Sequence, residues 1–513
     1  MNKHHARRRR RGGNGLLFIW SWFISVGIVF VSGALCLYSR IPERYVYIHT
    51  RLLLLPAAAA LIGWIGAGSG TEVGAWRFDG ISWLMAFYIS LLSWIIQTFS
   101  LRYLHGDRAY RHYFWLLTWT AGAASVIWSS NDLRVMAICW GLPFVGLAVL
   151  TWLKREWAPS RAAAMQMGIM FLASWLAVAV LAVWIWTVTG KWSMSAALLA
   201  DQLAEISFWG RIAMNGLLLL AALIPAGQWP FHRWLLESAV TPTPVSAVMH
   251  AGLVNAGGLL LARFSPLFNM PAAHEALFII AFLSILLGTG ISFVHVDYKR
   301  QLVASTMAQM GVMFVQCALG AYGAAVVHLI LHGLFKATLF LQSGSVVPRP
   351  ERIVRVKGGG SWWGGALIGL AVGMAFWIAS PSEPTRLFSA LLLGASMMIA
   401  WGRLADFREG RWLGLVTVVM LALASEEVRH FLTEFVQAAL PSGSAPPSAL
   451  EWLAFVLFAS AAIVTFWIVR HRSSLLFVRF YMWLVHFGEP RLSTVEPHPH
   501  YLSIYVKEGA SDE

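Results

Sequence analysis

Two histidines and a lysine recur every four residues in an otherwise apolar stretch of the chain, HLILHGLFKATLF. They are His328, His332 and Lys336. Four residues turn an α-helix by about 400°, so the three side chains share one slowly drifting face and span roughly 12 Å of its length. This span is too long for a single metal ion. It favours a hydrated ladder along which protons pass, because imidazole titrates near neutrality. The alternative is a structural polar face that pairs with neighbouring helices.

A fourth histidine, His250, lies in the segment TPTPVSAVMHAGLVNAGG, residues 241–258. Pro242 and Pro244 open a helix there, as proline does well in a first turn. One histidine on an apolar helix is more often a hydrogen-bonded core residue, so that interpretation stands beside a role in proton transfer. Two carboxylates, Glu237 and Asp79, flank apolar segments and are expected at the membrane interface, where either could gate access.

The composition indicates a polytopic membrane protein. The 513 residues are 58% hydrophobic and 12% charged, whereas soluble proteins carry about 25% charged residues. The apolar runs are long and do not alternate, which predicts helices and not a β-barrel. Candidate spans start near residues 16, 52, 80, 113, 133, 165, 208, 243, 273, 301, 321, 361, 387, 410 and 449. The expected fold class is therefore all-α, with about 13–15 transmembrane helices.

The net charge of +14 does not indicate nucleic-acid binding, because there is no basic domain. Arginines concentrate at Arg7–Arg11 and in short loops beside the spans. Basic residues in such places set orientation, so the N-terminus is predicted to be cytoplasmic in a cell (inner or plasma) membrane. Cys36, Cys139 and Cys317 lie inside apolar runs without the spacing of a metal site or a disulfide framework.

Prolines interrupt two of the expected helices. Pro225 and Pro230 stand in LIPAGQWPFHRWLLE, and Pro381 and Pro384 stand in WIASPSEPTRLF. Each proline removes a backbone donor and breaks a helix. Interrupted helices at corresponding places in two halves of a chain indicate a transport site built from repeats.

The expected organisation has six parts. They are a basic N-terminal arm (1–15), N-terminal transmembrane helices (16–112), a first repeat (113–265), a second repeat (270–425), a C-terminal transmembrane helix (449–470) and a polar tail (471–513).

Several of these motifs together resemble the proton-conducting antiporter-like subunits of respiratory complex I and of multisubunit sodium/proton antiporters. The similarity rests on residues 223–258 and 296–346 with WRFDGISWLM and YLHGDRAYRHYF, and it covers residues 75–345. It implies two inverted five-helix repeats, each with a broken helix, around a polar axis in mid-membrane. It also implies that His328, His332 and Lys336 form the second-half relay, and that His250 is the family's histidine after PTPVSA.

Two positions depart from the family pattern. Gly141 follows Trp140 where the family has a glutamate, and Pro225 stands where the first broken helix has a lysine. The second broken helix offers Glu383 and Arg386, candidates for gating or coupling, and no clear mid-membrane lysine. A first-half channel of the Glu/Lys kind therefore lacks both of its charged groups.

The length helps to choose among the subfamilies of these antiporter-like subunits, since only one clear span, Trp452 to Val469, follows the repeats. The chain is most similar to the membrane subunit of DAB-type inorganic-carbon accumulation complexes. This implies a large soluble or peripheral zinc-binding partner related to carbonic anhydrases, with the zinc in that partner and no cofactor in this chain. Proton or sodium flow would then energise CO₂ and bicarbonate uptake, and the chain would not be an enzyme by itself.

Two alternatives remain open. One is a proton-pumping subunit of a complex I or hydrogenase-type respiratory complex. The other is a membrane anchor that has kept the fold and lost translocation, which Gly141 and Pro225 favour.

Overall fold

The computed structural model describes residues 2–66, 70–346, 362–379, 385–404, 411–441, 448–471 and 473–489. These residues form mainly α-helices. The first ten are α1 Asn2–Leu37, α2 Tyr45–Leu52, α3 Leu54–Gly66, α4 Gly80–Tyr103, α5 Tyr110–Ile127, α6 Leu133–Trp152, α7 Ala158–Thr189, α8 Met194–Ala197, α9 Ala200–Ala204 and α10 Phe208–Leu223. The remaining helices are α11 Arg233–Glu237, α12 Thr243–Ala251, α13 Ala256–Arg263, α14 Pro271–Val294, α15 Tyr298–Ala318, α16 Tyr322–Leu341, α17 Trp362–Ala379, α18 Arg386–Leu404, α19 Arg411–Gln437, α20 Ser448–Arg470 and α21 Leu475–Gly488.

Short elements join the helices. Three 3₁₀ turns cover Ser238–Val240, Leu253–Asn255 and Ser343–Val346. An antiparallel hairpin pairs strand β1 (Thr71–Val73) with strand β2 (Trp76–Phe78), with Glu72 opposite Arg77.

The predicted fold class is confirmed. Among the described residues, eight segments are long and apolar enough to cross a membrane: Gly15–Leu37, Tyr45–Gly66, Gly80–Tyr103, Leu133–Trp152, Ala158–Thr189, Thr243–Arg263, Pro271–Val294 and Tyr322–Leu341. Five shorter apolar segments accompany them: Phe208–Leu223, Gly364–Ile378, Arg386–Trp401, Ala449–Thr465 and Leu475–Gly488. The predicted start at 16 lies inside α1, one residue after the start of its apolar segment Gly15–Leu37, and every other predicted start lies within seven residues of the start of a helix.

Three boundaries of the expected organisation differ from the helices observed. Those drawn at residues 112 and 425 fall inside α5 and α19. The expected polar tail starts instead with the apolar helix α21. This helix packs on α14, where a Cβ on Gly290 would lie 2.9 Å from Leu484.

The first helix break forms where the prolines predict it. Helix α10 ends at Leu223, and α11 begins at Arg233. Side chains satisfy the backbone groups released between them: Trp234 Nε1 donates to the Ile224 carbonyl at 2.8 Å, and the Trp229 amide donates to Ser284 Oγ at 3.0 Å. Pro381, Glu383 and Pro384 lie outside the described residues, so the second predicted break is not among the features observed.

A second interruption was not predicted from the sequence. Helix α12 ends at Ala251, one 3₁₀ turn follows, and α13 begins at Ala256. The glycine between them, Gly252, has φ −118° and ψ −70°, so the carbonyl of Ala251 leaves the helical hydrogen-bond pattern.

Close packing of small residues sets this interrupted segment against its neighbours. A Cβ on Gly257 would collide with the Ala222 carbonyl of α10, and one on Gly258 would meet Met313 of α15 at 2.5 Å. Small residues let membrane helices approach in this way. The result is that α12 and α13 lie in the interior of the bundle, between α10, α15 and α16.

The bundle has two ends, which we call the hairpin face and the opposite face. At the hairpin face, β1 and β2 lie beside the start of the first span, since Gly15 contacts Thr71. At the opposite face, Arg111 donates to the Tyr38 carbonyl at 2.9 Å, and Lys154 pairs with Asp107 at 3.3 Å. Lys299 lies at the same face and donates to the Thr241 carbonyl at 3.0 Å.

Candidate functional site

Helix α16 presents His328, His332 and Lys336 on one face. The two imidazole centroids are 5.7 Å apart. His332 is 7% exposed and Lys336 is 1% exposed. The Lys336 Nζ donates to the Leu302 carbonyl at 2.8 Å and to Ser305 Oγ, both on α15. The structure therefore places the three sequence-predicted residues along one helix face, with His332 and Lys336 buried and His328 half-buried.

His250 reaches this ladder from α12. Its ring is fully buried and stacks on Phe340 of α16, with centroids 4.5 Å apart and planes inclined by 9°. Phe340 follows Lys336 by one helical turn, so the stack sets His250 beside the lysine. We call His250, His328, His332 and Lys336 the relay cluster.

The three histidines of the relay cluster differ from His49 in their hydrogen bonds. Both ring nitrogens of His250, and Nε2 of His328 and His332, have no partner among the described protein atoms. By contrast, His49 contacts Ser32 Oγ at 3.1 Å and Thr118 Oγ1 at 2.9 Å. Buried polar atoms are nearly always hydrogen-bonded, to protein or to ordered water. The relay nitrogens, unlike those of His49, are thus suited to water and to proton exchange.

Asp79, expected at the membrane interface, lies at the hairpin face, where its side chain is buried within the protein. It caps α4 by accepting from the Ser82 amide at 2.9 Å, and Arg263 Nη2 at the end of α13 donates to it at 2.8 Å. Burial alone would raise the pKa of the Asp79 carboxyl, but the Arg263 guanidinium and the Ser82 hydrogen bonds outweigh that effect and hold the pKa below its ordinary value. This pair joins α4 to α13 at the hairpin face.

Glu237, the second carboxylate expected at the interface, lies at the end of α11 with its side chain buried within the protein. The amide nitrogen of Gln166 on α7 donates to its carboxylate at 3.3 Å. Arg386, the described member of the second candidate gating pair, begins α18, and its guanidinium lies 5.1 Å from the Trp377 ring centroid. That contact joins α18 to α17.

The first half of the chain is apolar where the family pattern has charge. A Cβ on Gly141 would lie 2.6 Å from Trp175 Cδ1, so the Trp175 ring occupies the space of a glutamate there. Trp175 is held by its own hydrogen bond from Nε1 to the Ala137 carbonyl at 3.0 Å. Pro225 lies in the break after α10. Beside Trp140 lies a cavity of about 40 Å³ whose lining contains no Asp, Glu, Lys, Arg or His.

Three residues of interest were not singled out from the sequence. Ser305 contacts Lys336 from another helix, and Tyr88 donates to the Ala251 carbonyl at 2.8 Å. His232 is buried with both ring nitrogens unpartnered among the described atoms, and it stacks on Phe487 of α21 with centroids 4.8 Å apart. His232 could have been singled out from the sequence, because it lies between the helix-breaking prolines and α11. The contacts of Ser305 and Tyr88 depend on tertiary structure. Among the described residues, no group of three His, Cys, Asp or Glu side chains could hold a metal ion.

Comparison with known proteins gives two family matches. Residues 130–364 match the family described as NADH:quinone oxidoreductase/Mrp antiporter, transmembrane, and residues 64–114 match the N-terminus of chain 5 of complex I. Among solved structures, the Mrp complex from Dietzia sp. DQ12-45-1b contains a similar chain, with a TM-score of 0.67 and 19% identity. That similarity covers 96% of this chain and 59% of the other, and it concerns the fold.

Sequence relatives narrow the family. A Bacillus subtilis (strain 168) protein named "Probable inorganic carbon transporter subunit DabB" is 45% identical over 491 residues, which cover 94% of this chain and 97% of the relative. The protein of the same name from Bacillus anthracis is 44% identical over 96% of this chain and 97% of its own length. A subunit 5 of NAD(P)H-quinone oxidoreductase from Paulinella chromatophora is 30% identical over 58% of this chain and 46% of its own. The chain therefore belongs to the DabB family of inorganic carbon transporter subunits and shares the antiporter-like membrane fold.

Proposed function

We propose that this subunit conducts protons through the relay cluster and that this flow energises inorganic-carbon uptake. The observation that carries the proposal is the convergence of three imidazoles and one ammonium on α12 and α16, with ring nitrogens that have no partner among the described atoms. Ionisable groups inside a membrane are expensive and mark ion or proton pathways. The family match supplies the transported substrate class.

The donor set favours protons over sodium ions. Hard cations take oxygen ligands, whereas the relay cluster offers imidazole nitrogens and one ammonium. The oxygens beside Lys336 are the Leu302 carbonyl and the Ser305 hydroxyl, and both accept from the ammonium. A cation held there would lie against that ammonium, so protons remain as the charge carried.

Transfer along the ladder needs water between neighbouring groups. The His328 and His332 centroids are 5.7 Å apart, and the Nε2 atoms of both rings have no hydrogen-bond partner among the described atoms, so these atoms do not bond to each other directly. An imidazole accepts a proton at one nitrogen and releases another from its second nitrogen, so one water between rings completes each step. The Lys336 ammonium first releases a proton towards Ser305, and the neutral amine then accepts the next proton from the ladder.

The proposed partner is a large soluble or peripheral zinc-binding subunit related to carbonic anhydrases. In this proposal the partner carries the zinc and the CO₂ hydration, and this chain supplies the driving force without being an enzyme itself. Sequence matches over nearly the whole chain to subunits named for carbon transport support this reading over the respiratory pump, whose named relative matches a little over half of the chain.

The charges of the two faces bear on orientation in the cell membrane. Between residues 38 and 300, the opposite face carries basic Arg40, Arg44, Arg51, Arg102, Arg108, Arg111, Lys154, Arg155, Arg161, Arg233, Lys299 and Arg300, and acidic Glu43, Asp107, Glu156, Glu237 and Asp297. The hairpin face carries basic Arg77, Arg134, Lys191, Arg211 and Arg263, and acidic Glu72, Asp79, Asp132, Asp201, Glu205 and Glu275.

Basic residues outnumber acidic ones on the opposite face, whereas the first span starts at the hairpin face. This distribution therefore disagrees with the cytoplasmic N-terminus expected from Arg7–Arg11. Because basic loops stay in the cytoplasm, we propose that the opposite face is cytoplasmic and that the N-terminus lies outside. All three native cysteines are buried, so single cysteines at Lys191 and Arg155 can be compared in intact cells. A membrane-impermeant thiol reagent should label Lys191→Cys and spare Arg155→Cys, and the reverse pattern restores the orientation expected from the arginine run.

The proposed function is tested with Lys336→Ala in cells that express both subunits. Bicarbonate uptake should fall to the background of cells without the complex, at an unchanged amount of complex in the membrane. An uncoupler should abolish uptake by the unaltered complex.

The second candidate, an anchor without translocation, is favoured by the apolar first half at Gly141 and Trp175. It requires uptake to persist both in Lys336→Ala and in the presence of the uncoupler. Persistence in both measurements would replace the relay with the anchor.

A further inference from the structure

The interruption after α12 leaves one backbone carbonyl without its helical donor. In a continuous helix the Asn255 amide would donate to Ala251, but it donates to Gly252 at 3.3 Å instead. Two side chains replace it: Tyr88 Oη donates to the Ala251 carbonyl at 2.8 Å, and Asn255 Nδ2 donates at 2.9 Å. The carbonyl next to His250 is thus held by a tyrosine from α4.

The relay helix meets the same point. A Cβ on Gly333 would collide with Tyr88 Oη and lie 2.5 Å from the Ala251 carbonyl. Gly333 directly follows His332 in α16. Three helices therefore converge on one hydrogen bond, and the position of His250 against the relay helix depends on it.

A cavity adjoins the interruption between α12 and α13. The cavity of about 40 Å³ in the first half is lined by Tyr88, Val248, Gly252 and Ala124, together with Trp140. Its lining is almost entirely apolar, so it does not compete for the Ala251 carbonyl. If the hydrogen bond from Tyr88 opens, the interrupted segment has room to shift into this cavity.

We propose that Tyr88 is a positioning residue for proton transfer: its hydroxyl holds the Ala251 carbonyl and so keeps His250 stacked over Phe340 beside Lys336. The proposal rests on the proposed proton relay and extends it to a residue of the first half. Asn255 is the second support of the same carbonyl, and its amide also approaches the Leu329 carbonyl of α16 at 3.4 Å.

The test compares two tyrosine-to-phenylalanine variants in the purified complex with its partner subunit. Tyr88→Phe removes the hydroxyl that holds Ala251. Tyr113→Phe is the matched control, because Tyr113 of α5 is equally buried and its hydroxyl has no partner among the described atoms. Hydrogen–deuterium exchange should speed up in residues 249–256 for Tyr88→Phe and remain unchanged there for Tyr113→Phe. Equal exchange rates in the two variants would overturn the proposal that Tyr88 positions this segment.

Proton flux into vesicles gives the functional readout. Tyr88→Phe should lower the flux about tenfold, the scale expected for the loss of one buried hydrogen bond, and Tyr113→Phe should not. Adding Ala124→Val, which fills the cavity, should restore part of the flux lost in Tyr88→Phe. Faster exchange with normal flux would remove the positioning role while leaving the relay intact. Normal flux in Lys336→Ala would refute the relay itself.

Discussion

The two halves of the molecule are both bundles of packed helices, but they differ in the polar groups that they hold. In the second half, α16 carries two imidazoles and a buried ammonium that contacts α15. In the first half, Trp175 occupies the space beside Gly141, and an apolar cavity adjoins Trp140. Packing therefore preserves the fold in both halves, while charge is kept where protons are proposed to move.

The separation is not complete, because the first half contributes His250. Helix α12 belongs to the expected first repeat, yet its histidine stacks on Phe340 of α16. The proposed relay thus depends on contact between the halves. An interrupted helix from one half positions a base against the charged helix of the other.

The largest effect is expected at Lys336, where one substitution keeps the positive charge but prevents proton transfer. Lys336→Arg keeps the positive charge, but arginine does not deprotonate in proteins, so proton flux and bicarbonate uptake should both fall to background. Flux should be measured in vesicles that contain equal amounts of complex. Activity near that of the unaltered chain would mean that a fixed charge suffices at this position.

A second comparison sets a relay histidine against a structural one. His332→Gln removes an imidazole whose Nε2 has no partner among the described atoms, and we expect at least about a tenfold loss of flux, since positioned acid–base groups contribute about 10²–10⁴-fold to the rate of proton transfer. His49→Gln removes a ring bonded to Ser32 and Thr118. It should lower thermal stability and leave flux per complex unchanged. Similar losses of flux in both variants would erase the distinction between the two groups of histidines.

The Asp79–Arg263 pair should matter for stability and not for conduction. Asp79→Ala leaves a buried guanidinium without its carboxylate, a change that costs about 3–5 kcal/mol when one partner of a buried pair is removed. The depressed pKa of Asp79 means that its contribution is present near neutral pH and declines as the pH falls through that pKa. Thermal unfolding of the purified complex should show the loss, and a normal transition temperature would argue against it.

The smallest expected effect concerns the first half. Gly141→Glu restores the family's carboxylate but forces it against Trp175, and overpacking of this kind costs about 1–3 kcal/mol. The variant should reach the membrane in lower amounts without gaining flux. Pairing it with Trp175→Ala makes room for the carboxylate and should recover the amount of complex. A gain of flux in the single variant would show that the first half had retained a conducting path.

Much of the helical scaffold could be predicted from the sequence, because apolar runs and prolines act locally. The starts of α4, α6, α10 and α12 coincide with the predicted ones, and the break at Pro225 and Pro230 forms as expected. The interruption at Gly252 was not predicted, because glycine alone does not break a helix. Its neighbours Tyr88 and Asn255 stabilise it by taking over the released hydrogen bonding.

The amino-acid sequence by itself determined that the protein is a helical membrane bundle and that His328, His332 and Lys336 share a helix face, because hydropathy and a four-residue spacing depend only on neighbours along the chain. Tertiary structure alone decided which polar groups are satisfied. The same kind of residue is paired at His49 and unpartnered among described atoms at His250, and Asp79 is buried because Arg263 reaches it from 184 residues away. Hydrogen bonds and ion pairs form between groups that folding brings within about 3 Å, and no local pattern specifies that distance.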